Sequence, residues 1–270
     1  MDQRHDVFAV APAYEAFMGR WSRPVGQQFV AWLQVPPRRR WLDVGCGTGA
    51  LTEILVSAGG ARSVVGVDAS AGFVQFARTR TFETAEEVQF LQGDATALPV
   101  GSVDFDVVVS GLVLNFVPQP AKMVAEMARA ARPKGTVALY VWDMSGGGME
   151  LISRFWEAVE EVEPGSATQG EAARFREICA PEPLQALLSG AGLGDVVSRA
   201  IDVPTVFRDF DDYWGPFLGG QGPAPAFLAS LPEATQAKIR ETLRERLPVG
   251  ADGTIALGAR AWAVKGTKAG

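Results

Sequence analysis

The chain has 270 residues, 47% of them hydrophobic and 21% charged, with a formal net charge of −6 and a pI near 5.0. That length holds one large α/β domain with a sizeable core, and the composition sets aside a disordered or low-complexity chain. The acidic balance weighs against nucleic acid or an anionic membrane surface as partner, since Arg38-Arg39-Arg40 is the one basic run and it precedes an apolar strand as a solvated loop would.

From the N-terminus, Tyr14 to Leu33 has helical periodicity, with a break expected near Pro24 and a stop at Pro36-Pro37. The pattern then alternates. Trp41–Gly45 reads as a strand, Thr48–Ala58 as a helix closed by Gly59-Gly60, and Ser63–Val67 as a second strand. Ser70 is the N-cap of a helix directing Phe73, Phe76 and Ala77 inward. Val88–Leu91 and Phe105–Val109 are further strands; Pro118 and Pro120 open a helix with Met123, Val124, Met127 and Ala131 on one face, and Thr136–Trp142 is a fifth strand. Strands alternating with helices imply right-handed βαβ units and a parallel sheet covered on both faces.

After Asp143 the periodicity weakens. Glu150–Val162 and Pro183–Ser189 are helical, Ile201–Phe207 and Thr254–Val264 are late strands, and Phe210–Leu247 between them mixes Pro, Gly, aromatics and helix formers. With no repeat and no clean boundary, the expectation is one domain over 1–270: a helical cover over 1–38, a ligand-binding core over 39–143, and a lid with closing strands over 144–270. Two cysteines, Cys46 and Cys179, are too few for a disulfide framework or a CxxC metal site. No apolar stretch is long enough to cross a bilayer, and Met1 to Asp6 lacks a leader pattern, so a cytoplasmic protein is expected. Oligomeric state is not legible.

The chemistry concentrates at Asp43-Val44-Gly45-Cys46-Gly47-Thr48-Gly49, which follows the first strand and opens the first helix of the alternating part. Glycines there permit a sharp turn and close backbone approach, and the amides at a helix start receive an anionic group. A methionine carboxylate and a pyrophosphate both suit them, because Gly45, Gly47 and Ala50 also satisfy the dinucleotide pattern G-x-G-x-x-G/A. Asp68, at the end of the second strand, can accept both hydroxyls of a ribose in either case. Three features separate the two. Asp43 precedes the loop, where a carboxylate would repel a pyrophosphate and attract a sulfonium or ammonium group. Gly93-Asp94-Ala95 follows the third strand, and Asp94 can accept from an adenine amino group. Asp104–Ser110 runs into Gly111-Leu112-Val113-Leu114-Asn115-Phe116 after the fourth strand. All these loops share the carboxyl edge of the sheet, where open α/β folds bind ligands.

Over about Trp41 to Trp142 the sequence resembles the class I S-adenosylmethionine-dependent methyltransferases, and is most similar to the small-molecule group that includes ubiquinone and menaquinone biosynthesis methyltransferases. The resemblance implies a Rossmann-like α/β fold: a seven-stranded, mostly parallel sheet with one antiparallel strand, helices on both faces and a helical lid. It implies S-adenosylmethionine as cofactor, S-adenosylhomocysteine as product and a small-molecule acceptor. Gly45, Cys46, Gly47 and Gly49 would then hold the methionine part. Asp68 would hold the ribose, flanked by Ala69, Ser70 and Phe73; Asp94, with Ala95, would hold the adenine amino group, and Ser110 and Gly111 would lie near the methyl. The segment from Tyr14 to Pro24 is similar to the family's leading helix, which implies that Tyr14, Trp21 and either Arg20 or Arg23 close over the cofactor.

The D/N-P-P-Y motif of nucleic-acid amino-methylating enzymes is absent after the fourth strand, where Ser110-Gly111-Leu112-Val113 stands. Methyl transfer needs no metal, and a base only for an acceptor of high pKa; Tyr14, Asp143, Tyr213 and the single histidine, His5, are the available groups. Two alternatives stand beside this reading: a non-catalytic S-adenosylmethionine-binding sensor or partner subunit, and a nicotinamide-dependent oxidoreductase. Asp68→Ala is expected to weaken cofactor binding with little loss of folding.

Overall fold

A computed structural model describes residues 20–82, 85–144, 147–166, 178–219 and 223–270. Seven strands form one sheet: β1 (Arg40–Val44), β2 (Ser63–Asp68), β3 (Glu87–Gln92), β4 (Phe105–Gly111), β5 (Ala131–Trp142), β6 (Leu193–Phe207) and β7 (Ile255–Lys268). Their order is β3-β2-β1-β4-β5-β7-β6. β1 to β5 are mutually parallel, and β7 runs antiparallel to both of its neighbours. The expected single antiparallel strand is therefore β7, inserted between β5 and β6.

Helices are α1 (Arg20–Leu33), α2 (Ala50–Ser57), α3 (Ala71–Ala77), α4 (Pro120–Ala130), α5 (Glu150–Val162), α6 (Pro181–Gly190), α7 (Phe210–Trp214), α8 (Pro223–Ser230) and α9 (Glu233–Arg246). The two sheet faces separate by strand parity. Trp41, Val107, Val109, Ala138 and Tyr140 pack with Val25 and Phe29 of α1 and Ile54 and Leu55 of α2. Leu42, Val44, Val108, Leu139 and Val141 pack instead with Met123, Val124 and Met127 of α4 and Leu184 and Leu188 of α6. Each large side chain removed from water in this way contributes roughly 1.5–3 kcal/mol, which is what holds the helices to the sheet.

Several local expectations change. α1 runs unbroken through Pro24, the fifth residue of the described helix, where the missing amide leaves out one i→i−4 bond, to the Arg20 carbonyl, and packing of Trp21, Val25 and Phe29 holds the helix together. Phe76 is 38% exposed, and Val74 takes the inward place beside Phe73 and Ala77. The Arg38-Arg39-Arg40 run is ion-paired to Glu86, Asp106 and Asp104 respectively, so it closes the amino edge of the sheet. β6 and β7 are longer than the sequence suggests and pair through thirteen positions, from Leu193↔Lys268 to Phe207↔Ile255. β5 reaches only Trp142↔Ala261, so Asp202–Phe207 and Ile255–Arg260 project past it. In that projection Val203, Thr205 and Phe207 are buried while Asp202, Pro204 and Val206 are exposed.

Candidate active site at the carboxyl edge

The loops after the parallel strands are stitched together by backbone hydrogen bonds. Gly45 and Cys46 donate to the Val67 carbonyl at 2.7 and 3.1 Å, joining the loop after β1 to the end of β2. Gly93 donates to Asp68 O at 2.9 Å, joining β3 to β2. The Ser110 hydroxyl donates to Val44 O at 2.7 Å, joining β4 to β1, and Leu112 N donates to Tyr140 O at 2.8 Å, joining β4 to β5. Ser110 is buried, so its hydroxyl is a structural tie at this edge.

Gly45, Gly47 and Gly49 have φ of 74°, 52° and 82°, the left-handed region that glycine enters without a steric penalty. A Cβ at Gly45 would overlap the Val113 side chain, whereas one at Gly47 would meet none of the described residues within 4 Å. Gly47 thus presents bare backbone to open space, and its amide donates to Asp68 Oδ2 at 2.8 Å. The other oxygen, Oδ1, accepts from Ser70 N at 2.8 Å, and the Ser70 hydroxyl accepts from Phe73 N to cap α3. Asp68 therefore links the glycine loop to the start of α3. Phe73 is buried in the first turn of α3 and Ala69 is exposed beside Asp68, its carbonyl accepting from Gln92.

Asp43 sits on the α2 face of the central strand and is fully buried. Its Oδ2 accepts from the Thr52 hydroxyl at 2.7 Å, and its Oδ1 has no partner among the described residues. Burial pushes its pKa from 3.8 to about 7, against the lowering effect of the Thr52 bond, and Asp68 adds a smaller upward push. Cys46 is also buried, and desolvation raises its thiol well above the usual range, so it is not poised as a nucleophile. Asp94 is exposed; its Oδ1 accepts from the Thr96 amide and hydroxyl at 2.7 and 2.8 Å, which fixes the turn and holds the carboxyl below its ordinary value. Ala95 lies half-buried next to it. At Gly111 a Cβ would stand 2.5 Å from the Tyr140 hydroxyl, so glycine there is required by close packing.

The sequence-predicted residues after β1, β2, β3 and β4 thus converge on one edge. Trp21 is apart from that stitched cluster in its contacts: it is buried edge-on to Phe207 at 5.1 Å, with the Arg20 guanidinium over its ring at 4.4 Å. Arg20 pairs with Asp212 of α7, and Arg23 with Glu53 of α2. Tyr14 and His5 lie outside the described residues. Tyr213 donates its hydroxyl to Leu151 O at 3.1 Å and burial raises its pKa, so it is withdrawn as a base. Asp143, buried at the end of β5, has its backbone amide on Arg260 O.

Sequence reasoning overlooked Arg80. Its Nε donates to Thr48 O at 2.6 Å and its Nη1 to Glu53 at 2.7 Å, so it holds the glycine loop from behind, while the same Glu53 oxygen accepts from Arg23 at 2.8 Å. No motif marks it; only the fold brings Arg80 to the loop.

Residues 42–139 match the family model described as "Methyltransferase domain". The demethylmenaquinone methyltransferase of Renibacterium salmoninarum is 35% identical over 52% of this chain and 60% of its own length. The 2-phytyl-1,4-naphtoquinone methyltransferase of Thermosynechococcus vestitus is 31% identical over 62% of this chain and 77% of its own. The chain thus spans less than two thirds of some curated relatives, and as little as 28% of a bifunctional one. Among solved structures, the YcgJ protein of Bacillus subtilis has the same fold at 18% identity and a TM-score of 0.57, covering 92% of this chain and 98% of that one.

Proposed function

Because this chain belongs to the S-adenosylmethionine-dependent methyltransferases, we propose that it transfers a methyl group from S-adenosylmethionine to a small-molecule acceptor, releasing S-adenosylhomocysteine. The observation that carries the reading is the Gly47–Asp68 junction: bare backbone facing open space, bonded to a carboxylate at the end of the neighbouring strand. The residues fit the cofactor on two further counts. Among the described residues the Asp43 Oδ1 is a buried acceptor without a partner, suited to the cationic end of a methionine group, and none of their side chains fills the space beside Gly47.

In this reading Gly45, Cys46, Gly47 and Gly49 hold the methionine portion with backbone groups, with Asp43 behind them. Asp68 uses its remaining lone pairs for the ribose hydroxyls, beside Ala69, Ser70 and Phe73. Asp94 accepts from the adenine amino group next to Ala95, and Ser110 and Gly111 form the floor near the transferred methyl. Tyr14 and Trp21 belong to the cover.

The bound cofactor supplies an electrophilic methyl on a sulfonium. What the chain supplies is orientation: a floor at Gly111 kept low by Tyr140, and an edge stitched at Val44, Val67 and Tyr140 so that the acceptor meets the methyl in line. Orientation of this kind is worth effective molarities of up to about 10⁵–10⁸ M. Residues 144–270 serve as the acceptor-side lid and closing strands of the one domain, 39–143 as the cofactor core and 1–38 as the helical cover. The Arg20–Asp212 pair and the Trp21–Phe207 contact support joining cover to lid. Among the described residues no helix is long and apolar enough to cross a membrane, and the cytoplasm is the proposed compartment.

Two relatives named for naphthoquinone- and menaquinone-type compounds make reduced quinones the first acceptors to screen. Calorimetric titration with S-adenosylhomocysteine, with NADH as control, tests the cofactor. Binding of the former alone is expected; binding of NADH alone would return the nicotinamide reading. Cofactor binding without turnover across the acceptor panel would leave a non-catalytic binder.

A further inference from the structure

We propose that the cleft between the second half of α1 and the β6–β7 ribbon is a second ligand site, one that takes a small organic anion of the phosphomonoester class. The cleft encloses about 310 Å³ and is lined by Gln28, Ala31, Trp32, Gln34, Arg199 and Lys265. That volume is at the lower end of the range for small-molecule sites. Five of the six lining side chains carry N–H donors and none is a carboxylate, in a chain whose net charge is −6.

The two cations are placed to act together. Arg199 and Lys265 both point to the α1 face of the ribbon, two register positions apart, since Val197 pairs with Lys265 and Arg199 with Ala263. Arg199 is exposed and forms no ion pair or hydrogen bond among the described residues. Lys265 donates to the Trp32 and Leu33 carbonyls at 3.2 and 3.4 Å with its ammonium 4.7 Å from the centre of the Trp32 ring, which leaves its third ammonium hydrogen without a hydrogen-bond acceptor among the described residues. Its pKa is lowered by burial alone, with no carboxylate to offset it. The nearest acid on β6, Asp202, is on the opposite face and paired with Arg260 at 2.7 Å. A phosphate oxygen would bridge the guanidinium and the ammonium, with Gln34 donating at the rim beside the second amide hydrogen of Gln28, whose Nε2 also donates to Asp202 O at 3.4 Å. Ala31 and Trp32 give the cleft an apolar wall, which is why an organic ester is favoured over the bare ion.

The test is calorimetric titration of the full chain with phenyl phosphate, inorganic phosphate and benzyl alcohol. Saturable binding of phenyl phosphate is expected, tighter than either control and weakened about tenfold by Arg199→Ala, an exposed position that folding does not need. Lys265→Met should weaken it comparably. Saturating S-adenosylhomocysteine should leave the phenyl phosphate affinity unchanged, because the cleft lies away from the glycine loop. The proposal is overturned by absence of saturable binding to folded protein, by equal affinity in Arg199→Ala, by equal affinity for benzyl alcohol or inorganic phosphate, or by competition with S-adenosylhomocysteine.

Discussion

Replacing Asp43 with Asn separates stability from cofactor binding. The carboxyl is fully buried and its folded pKa is about 7 against 3.8 unperturbed, so between those values the folded state holds a proton the unfolded chain has lost. Stability from this group is whole below pH 3.8 and falls as pH rises toward 7. Three units at 1.36 kcal/mol each set an upper bound of about 4 kcal/mol, of which roughly 2–3 kcal/mol is lost between pH 5 and pH 8. Asn keeps the shape, can still meet the Thr52 hydroxyl, and does not titrate. Urea unfolding of the ligand-free protein should therefore show the Asp43→Asn advantage growing by about that amount from pH 5 to pH 8. Affinity for S-adenosylhomocysteine should move oppositely: in the wild type it rises with pH through 7, as the ligand's ammonium favours the ionised carboxylate, and in Asp43→Asn it is weaker and flat. Parallel stability curves for the two proteins would refute the buried-acid argument, and an unchanged affinity would remove Asp43 from the cofactor site.

Asp68→Ala is expected to cost more folding stability than the sequence suggested, about 3 kcal/mol, because both carboxylate oxygens accept backbone amides; thermal melts and calorimetry should show a lowered Tm together with at least a tenfold loss of S-adenosylhomocysteine affinity. Arg80→Gln should weaken that ligand severalfold by releasing the Thr48 carbonyl, with Arg80→Lys intermediate, and equal affinities in all three proteins would show that the clamp is idle. Gly111→Ala should destabilise by ~1–3 kcal/mol through overlap with Tyr140, and Tyr140→Phe should recover part of the loss, measured as coupling in a double-mutant cycle. Thr205→Val should raise Tm, since it removes a fully buried hydroxyl that has no partner among the described residues.

Strand and helix alternation from Trp41 to Trp142 was legible because buried parallel strands are short apolar runs bounded by Gly, Asp and Pro, a pattern carried by neighbouring residues. The glycine loop and the acids at the ends of β2 and β3 were legible for a similar reason, since each is a local motif at a strand end. What stayed hidden depends on contacts between distant residues. Thr52 as the partner of Asp43, Val113 against Gly45 and Arg80 behind Thr48 are assembled by the fold and leave no periodic trace. Phe76 was misplaced because α3 is only seven residues long, too short for its apolar stripe to be fixed by spacing. The full length of β6 was hidden because Gly194, Asp195, Ser198 and Arg199 interrupt any apolar run before Ile201, and pairing with β7 overrides that composition.

The projecting ribbon has an evolutionary consequence. Phe207 and Ile255 are directly paired, so the described residues between them leave the sheet and return to it at a single doorway. A segment whose two ends are already clasped can be lengthened, shortened or exchanged with little added loop-closure entropy, a few tenths of a kcal/mol for modest changes. The sheet and its glycine loop would not register the change. Such a chain is a chassis with an interchangeable cassette, and on the function proposed above, selectivity for the acceptor can drift while the cofactor half stays as it is.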